Sequence, residues 1–512
     1  MGLGTTASVA LTGLAGHVVE VQAQLAASVP GFTLVGLPDA ALHESRDRVS
    51  AAVRSTGVRW PQRKITVNLS PASLRKHGSA FDLAVAVAVL AGDGTVPAAG
   101  LDRVVHLGEL GLDGRLQPVR GVLPAVAAAV DAGYTDVVVA RGDAAEAALV
   151  PGARVHGAAS LAEVVRLHGG DAGRVPELDP VRAVRQGAAR RPAGDLADVV
   201  GQAQARAALE VAAAGGHHLL LVGPPGAGKT MLASRLPGIL PDLTTAEAVE
   251  VTAVHSVAGT FDPGDGLITR PPFEDPHHTA TPAAIVGGGS TVARPGAVSR
   301  AHRGVLLLDE APEFPPRVLE TLRQPLESGE LMLHRAGGAA RYPARFQLVL
   351  TANPCPCGLA SVNKGLDCTC TPTAKRRYFG RLSGPLLDRV DLQVEALPAT
   401  RAERRAAGAA EPTRDVAARV AAARAAARER MSGTPWSTNA EVPGTWLRER
   451  LGPGSGVLAP VERMIDRGAI TLRGADRVLR TAWTLADLAG RTVPGAEDVA
   501  VAVTLRTRGS HA

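Results

Sequence analysis

Cysteine, lysine and aromatic residues are scarce in this chain, and each scarcity narrows what it can be. Four cysteines among 512 residues cannot build the disulfide scaffold of a small secreted domain. With aromatics at 3% against a hydrophobic content of 46%, the cores must rest on Ala, Val and Leu. Only five lysines occur, at 64, 76, 229, 364 and 375, so nearly all basic residues are arginines, a bias of composition more than of function. Neither sign of charge dominates: 55 basic against 49 acidic residues leave +6, weak support for a polyanionic partner. No apolar run approaches the ~20 residues of a membrane-spanning helix. The residues from Met1 to Thr6 carry no basic segment ahead of apolar ones, so no secretory signal is expected and the cytoplasm is the expected compartment. Their match to a myristoylation pattern is read as coincidence. Length alone predicts roughly three domains.

What the chain does have is Gly223-Pro224-Pro225-Gly226-Ala227-Gly228-Lys229-Thr230, a G-x-x-x-x-G-K-T loop. His218 to Val222 before it has the length and apolarity of a strand. Met231 to Leu236 after it has a helical pattern, so the loop sits in the context its chemistry requires. Backbone N–H groups of such a loop turn inward on nucleotide phosphates, and the helix N-terminus adds partial positive charge. Lys229 is expected to reach the β- and γ-phosphates and Thr230 to ligate Mg²⁺. Further on, Val305-Leu306-Leu307-Leu308 reads as a strand buried on both faces, ending in Asp309-Glu310. Asp309 is expected to hold the Mg²⁺ water shell and Glu310 to polarise an attacking water. A carboxylate pair alone is also what an ordinary solvated turn looks like. Paired with the loop, it predicts ATP hydrolysis with Mg²⁺.

Residues 1–170 read as a first unit of mixed α/β character. Val18 to Leu25 and Ile65 to Leu69 alternate like half-buried strands, and Leu107 to Val119 reads as a hairpin turning at Asp113-Gly114. Asp136 to Ala140 reads as a strand, Leu161 to Leu167 as a helix, and Glu44 to Val49 as a solvated helix face. Lys76-His77-Gly78-Ser79 faintly resembles the serine loop of Lon-type proteases, which pair the serine with a downstream lysine. No lysine lies between Lys76 and Lys229, so no peptidase dyad on Ser79 is expected. Residues 171–195 read as a linker, 196–397 as the nucleotide-binding core, and 398–512 as a C-terminal helical lid. Within the core, Phe273 to Thr281 and Gly287 to Ser290 suggest a Gly-rich insert presenting polar groups to a ligand. His277 and His278, placed on a strand, would face opposite ways and not share a metal.

Arg317 to Gln324 reads as one amphipathic helix. Leu331 to Arg335 and Arg341 to Phe346 read as arms of a β-hairpin with a small-residue tip, Ala336 to Ala340. Arg335, Arg341 and Arg345 are candidates for sequence-independent contacts with DNA phosphates; plain solvated arms are the alternative. Phe346 to Asn353 is the next core strand, with Asn353 placed to orient the lytic water. Every cysteine falls in one 16-residue window, as Cys355-x-Cys357 and Cys368-x-Cys370. Two such pairs are a candidate tetrahedral thiolate site for Zn²⁺, with reduced packing thiols as the rival.

In this order the pieces resemble the magnesium-chelatase-like AAA+ ATPases of the ComM/YifB type. The likeness is carried by Val35-Gly36-Leu37-Pro38-Asp39, Ile65 to Leu69, Pro276-His277-His278-Thr279 and Leu322-Arg323-Gln324-Pro325-Leu326. It continues through Asn353-Pro354-Cys355-Pro356-Cys357-Gly358 and Ser383 to Arg389 to Thr484 to Leu488, close to full length. The resemblance implies an α/β AAA+ P-loop core with a C-terminal helical lid. Ahead of them it implies an α+β domain of the ribosomal-S5-domain-2/Lon-protease type, without the protease dyad. It also implies that Asn353 is sensor 1, that Arg389 is an arginine finger acting on a neighbouring subunit's ATP, and that Arg473 is sensor 2. Thr471 stands where the family often has Ser. Finally, it implies hexameric rings that bind single-stranded or branched DNA and drive branch migration in recombination and natural transformation, the 331–346 hairpin entering the DNA channel. A chelatase-like remodeller acting on a protein or metal-insertion complex would use the same motifs. The basic hairpin and the lack of a separate metal-sensing domain favour the motor.

Overall fold

Strand-forming residues concentrate at two places in the chain, and each place builds its own sheet. The computed structural model describes residues 2–173, 176–181, 194–289, 293–335, 338–360, 368–406, 410–451 and 456–507. The first sheet takes β1 (Gly2–Thr12), β2 (Ala15–Ala26), β3 (Gly31–Val35), β4 (Lys64–Ser70), β5 (Val104–Leu107), β8 (Asp136–Ala140) and β9 (Arg154–Ala158), with a separate ribbon of β6 (Glu109–Leu110) and β7 (Leu116–Gln117). Its order is β3-β4-β2-β1-β5-β8-β9. β1 and β2 run antiparallel from Gly2 opposite Leu25 to Thr12 opposite Ala15, while β5, β8 and β9 are parallel. Helix α1 (Asp82–Asp93) is apolar on every side and buried nearly throughout, as a helix hydrophobic all round must be. Its first residue, Asp82, is fully buried and pairs with Arg48, whose Nε lies 2.6 Å from Oδ2. The 44–49 segment is therefore not wholly a solvated face: a buried carboxylate requires a partner, and Arg48 turns inward to supply it. Lys76 is buried with Nζ donating to the Leu69 carbonyl at 2.9 Å, and the Ser79 hydroxyl donates to Glu109 instead of meeting a lysine.

The second sheet is wholly parallel. It comprises β10 (Leu219–Val222), β11 (Phe273–Glu274), β14 (Val305–Leu308), β17 (Gln347–Ala352) and β18 (Leu392–Glu395), in the order β11-β14-β17-β10-β18. Two small ribbons lie outside it, β12 (Gly287–Gly288) with β13 (Arg294–Pro295) and β15 (Glu330–Arg335) with β16 (Gly338–Pro343). Strand alternation divides the apolar residues between two cores. Leu219, Leu221, Val305, Leu307 and Val349 face one; Leu220, Leu306, Leu308, Leu348 and Leu350 face the other. Burial on both sides explains why these strands read as unbroken apolar runs. Helix α2 (Ala203–Gly215) covers the first core, and α3 (Lys229–Ala233) follows the phosphate loop. Helix α4 (Thr245–Ala258) joins the first unit, where Ser256 donates to Glu146 Oε1 at 2.5 Å.

Arg317 to Gln324 is not one helix: α5 (Pro316–Thr321) and α6 (Arg323–Ser328) meet at Leu322. Pro325 lacks the N–H that a continuous helix needs there, and its ring crowds the preceding turn. The hairpin's arms run further toward the tip than expected, in register from Glu330 opposite Pro343 to Arg335 opposite Gly338. Residues 336–337 lie outside the described residues, as do Ser290 and residues 174–175 and 182–193 of the expected linker. His277 and His278 follow β11 without belonging to a strand, and their rings lie on the same side, tilted by 34° with 4.1 Å between centroids. The opposite-faces premise therefore fails. Helix α7 (Pro372–Phe379) follows the cysteines. In the C-terminal part, α8 (Thr413–Arg430) and α9 (Leu472–Leu488) are the long helices. Val416, Val420 and Ala423 of α8 close the same core as α2, so the lid is packed into the core and not tethered beside it. Among the described residues no helix is long and apolar enough to cross a membrane.

Candidate active site

The parallel sheet sets the site, because β10, β14 and β17 all end at the same edge and ligands of open α/β sheets bind outside the carboxyl ends of the strands. From β10 the chain turns through the loop, where Gly226 and Gly228 have φ of 75° and 79°. That left-handed conformation strains any residue with a Cβ, so the glycines are required by the turn itself. Lys229 Nζ donates to the Gly223 and Pro224 carbonyls at 2.7 and 3.0 Å and to Asn353 Oδ1 at 3.1 Å. The loop lysine and the residue directly after β17 are thus in direct contact. Burial pulls the Lys229 ammonium below its usual pKa, and Asp309 and Glu310 oppose that shift.

From β14 the chain delivers both carboxylates to the same edge. Thr230 Oγ1 donates to Asp309 at 2.9 and 3.0 Å to its two oxygens, the hydroxyl–carboxylate pairing that can share one divalent cation. Glu310 is exposed with φ of 53°, a left-handed conformation uncommon outside glycine, held by its N–H donating to Thr351 Oγ1 at 2.9 Å. Thr351 in turn donates to Asp309 Oδ1 at 2.6 Å. Together the loop, the hydroxyl, two carboxylates and an amide can cradle phosphates, hold Mg²⁺ and present a base.

Arg389 and Arg473 lie apart from this group. Among the described residues no hydrogen bond or ion pair links either to the loop or to Asp309 and Glu310. Arg389 donates to the Pro385 carbonyl at 2.5 Å and pairs with Glu327. Burial lowers its pKa, and Arg323, Arg473 and Arg477 add like-charge repulsion, so four arginines converge there. Asp391 anchors one of them, Arg477: it is buried, accepts from Arg477 Nη1 at 2.5 Å and from the His218 N–H at 3.0 Å. Its carboxyl is held well below the usual range; burial pushes it up, but Arg477 and His217 more than offset this.

The four cysteine sulfurs lie within 4.8 Å of one another, with Cys355–Cys357 at 3.3 Å and Cys355–Cys368 at 3.7 Å. In the hairpin, Arg341 is exposed and its Nε lies 2.6 Å from Glu330 Oε2, while Arg345 is exposed at the base, not near the tip. Arg335 is the last residue of β15, and its side chain lies outside the described residues. Three participants escaped sequence reasoning: Gln202, whose Nε2 donates to the Ala227 carbonyl at 2.6 Å; Thr351; and Tyr378 of α7, buried beside the Asn353 backbone N–H and pushed up to about 12 by that burial. Strand alternation could have found Thr351, two residues before Asn353 and so on the same side. Nothing local marks Gln202 or Tyr378. A cavity of about 550 Å³ lined by Arg303, Arg345, Arg424, Arg428 and Trp436 lies at the opposite, amino edge of the sheet, away from this chemistry.

Two relatives decide the family. The chain is 42% identical to the competence protein ComM of Haemophilus influenzae over 395 residues, 77% of this chain and 76% of that one. It is 40% identical to the YifB protein of Escherichia coli over 472 residues, 92% and 90% of the two chains. The chain belongs to the ComM/YifB group of magnesium-chelatase-like AAA+ proteins. Family models for this ComM/YifB-type chain run along its length: subunit ChlI of Mg-chelatase at residues 19–143, magnesium chelatase subunit ChlI at 195–404 and the ChlI C-terminal region at 410–506. An uncharacterized protein of Mycobacterium tuberculosis is 53% identical over the whole of both chains. The magnesium-chelatase 38 kDa subunit of Rhodobacter capsulatus is 31% identical over 186 residues, 33% of this chain and 52% of that one. As a ComM/YifB-type AAA+ protein the chain is an α/β P-loop protein of an ATP-using family, which accounts for the loop, the carboxylates and the helical lid as one device.

Proposed function

We propose that this protein is an ATP-driven, ring-forming DNA motor that promotes branch migration during homologous recombination and natural transformation. In this scheme the backbone N–H groups of Gly223 to Gly228, with Pro224, Pro225 and Ala227 shaping the turn, hold the ATP phosphates, and Lys229 neutralises the β- and γ-phosphates. Thr230 and Asp309 hold Mg²⁺, which offsets charge developing on the phosphate oxygens. Glu310 accepts a proton from the attacking water, and Asn353 orients that water while it releases Lys229 to the γ-phosphate. Arg389 and Arg473 act on the ATP of the neighbouring subunit. A zinc ion at the four cysteines completes the cofactor set.

The observation that carries this reading is the separation of Arg389 and Arg473 from the protomer's own loop and carboxylates. Arginines that complete phosphoryl transfer but lie outside the site must enter another copy's site, and a head-to-tail contact of that kind generates a ring when its rotation closes. The exposed Arg341 and Arg345 of the hairpin and the likeness to a competence protein support DNA as the partner, with phosphate contacts at Arg335, Arg341 and Arg345. The family models named for magnesium chelatase favour a second reading, a remodeller of a protein or metal-insertion complex. ATP turnover measured with forked, Holliday-junction and duplex DNA separates the two: stimulation by branched DNA is expected, and turnover indifferent to every polynucleotide would overturn the motor.

A further inference from the structure

Both C-x-C pairs are joined to the nucleotide pocket. The first follows Asn353 by two residues, and its Cys355 is fully buried. The Gly358 N–H donates to the Cys355 carbonyl at 2.9 Å and the Ala360 N–H to Cys355 Sγ at 3.4 Å, a tight turn that aims one backbone donor at the sulfur. Gly358, at φ of 76°, lies so close to the phosphate loop that a Cβ there would come within 2.5 Å of Pro225 Cδ. The second pair leads straight into α7. Thr371 caps that helix by accepting from the Ala374 N–H at 3.2 Å, and the same helix carries Tyr378 to the Asn353 backbone. Tying the two pairs together therefore ties the end of β17, the phosphate loop and α7 to a common point.

The sulfur geometry suits such a tie. Zinc–sulfur bonds of about 2.3 Å put the edges of a tetrahedron of sulfurs at about 3.8 Å. The cluster's sulfurs stand 3.3, 3.7 and 3.7 Å apart across Cys355–Cys357, Cys355–Cys368 and Cys357–Cys368. Four thiolates without oxygen or imidazole ligands select a soft tetrahedral ion.

We propose that Cys355, Cys357, Cys368 and Cys370 hold a zinc ion that braces the nucleotide pocket, locking Pro225 and Asn353 in relative position, so that metal occupancy sets ATP affinity and turnover. The inference rests on the ATP-hydrolysing reading of the loop, but not on DNA as the partner. A cross-link between two segments removes the freedom of the chain between them, and displacing a positioned group by an ångström costs up to about a hundredfold in rate.

The test uses the full chain. Elemental analysis is expected to find one zinc per protomer; zinc-free protein that binds and hydrolyses MgATP normally overturns the proposal. The Cys368→Ser/Cys370→Ser variant is expected to lose the zinc and to bind nucleotide about tenfold more weakly, with turnover reduced by about ten- to a hundredfold. Because loss of the zinc can also unfold the chain, Gly358→Ala supplies the second arm. It keeps all four thiols and the zinc while pushing against Pro225, so weakened nucleotide binding at full zinc content is expected, with a lowered melting temperature that still leaves the chain folded at the assay temperature, because a Cβ at that left-handed torsion is strained. Wild-type nucleotide affinity in Gly358→Ala overturns the bracing role. A wild type indifferent to DNA would sink the motor yet leave metal content and nucleotide affinity as independent readouts.

Discussion

At the residue scale, the two carboxylates after β14 have different surroundings and so different work. Asp309 is fixed by Thr230 and Thr351, whereas Glu310 is exposed on a left-handed backbone held by its N–H on Thr351 and by its carbonyl, which accepts from the Glu313 N–H at 2.7 Å. Replacing Glu310 by Gln keeps size and backbone but removes the base. Turnover is expected to fall by about 10²–10⁴-fold with nucleotide affinity retained, as read from phosphate release beside a nucleotide titration; equal loss of both would show that Glu310 serves binding. Asp391 makes the opposite case, a buried anion that requires its cation. Arg477→Ala is expected to destabilise the chain by about 3–5 kcal/mol, because it leaves an uncompensated buried charge. Urea unfolding measures it, and a cost below about 1 kcal/mol would mean that the pair behaves like a surface one.

At the element scale, α1 and the hairpin carry separable predictions. Burial raises the Asp82 carboxyl to about 6, an effect only partly offset by Arg48. A carboxyl raised in the folded state binds protons that the unfolded chain has released. Its contribution to stability is therefore complete below the ordinary value of 3.8 and is lost as pH rises through about 6. Unfolding free energy is expected to fall across that window by at most roughly 1.4 kcal/mol per pH unit, seen as a falling melting temperature, and Asp82→Asn is expected to flatten the slope; a parallel slope in the variant would assign the titration elsewhere. For the hairpin, Arg341 already has Glu330 as an internal partner, so DNA must compete for it. Arg341→Ala is expected to lower the slope of log affinity against log salt by about one across unrelated DNA sequences. An unchanged slope would remove Arg341 from the DNA contacts.

At the scale of the whole molecule, chemistry divided between subunits makes activity a property of the assembly. Lys229→Ala and Arg389→Ala are each expected to abolish turnover alone. Mixed before assembly, they are expected to recover part of it, because the intact loop of one meets the intact arginine of the other. A neighbouring arginine of this kind is worth about 10³–10⁵ in rate where measured in other nucleotide hydrolases, so even sparse complemented seams are visible above background. No recovery on mixing would place the arginine in its own subunit's site.

The sequence by itself determined whatever depends on spacing within a few residues. The loop glycines answer to backbone torsions, the apolar runs of β10 and β14 to burial on both faces, and the paired cysteines to the reach of a short turn. Relations across the chain were decided by tertiary structure alone. That Arg48 turns inward to Asp82, that Thr351 bridges Asp309 and Glu310, and that Gly358 rests on Pro225 follow from how sheets and helices pack. The convergence of Arg389 with Arg323, Arg473 and Arg477 is likewise set by the lid docking on the core. The physical reason is range: torsional preference and periodicity act between neighbours in sequence, whereas burial and pairing of charge are settled only when distant segments exclude water together.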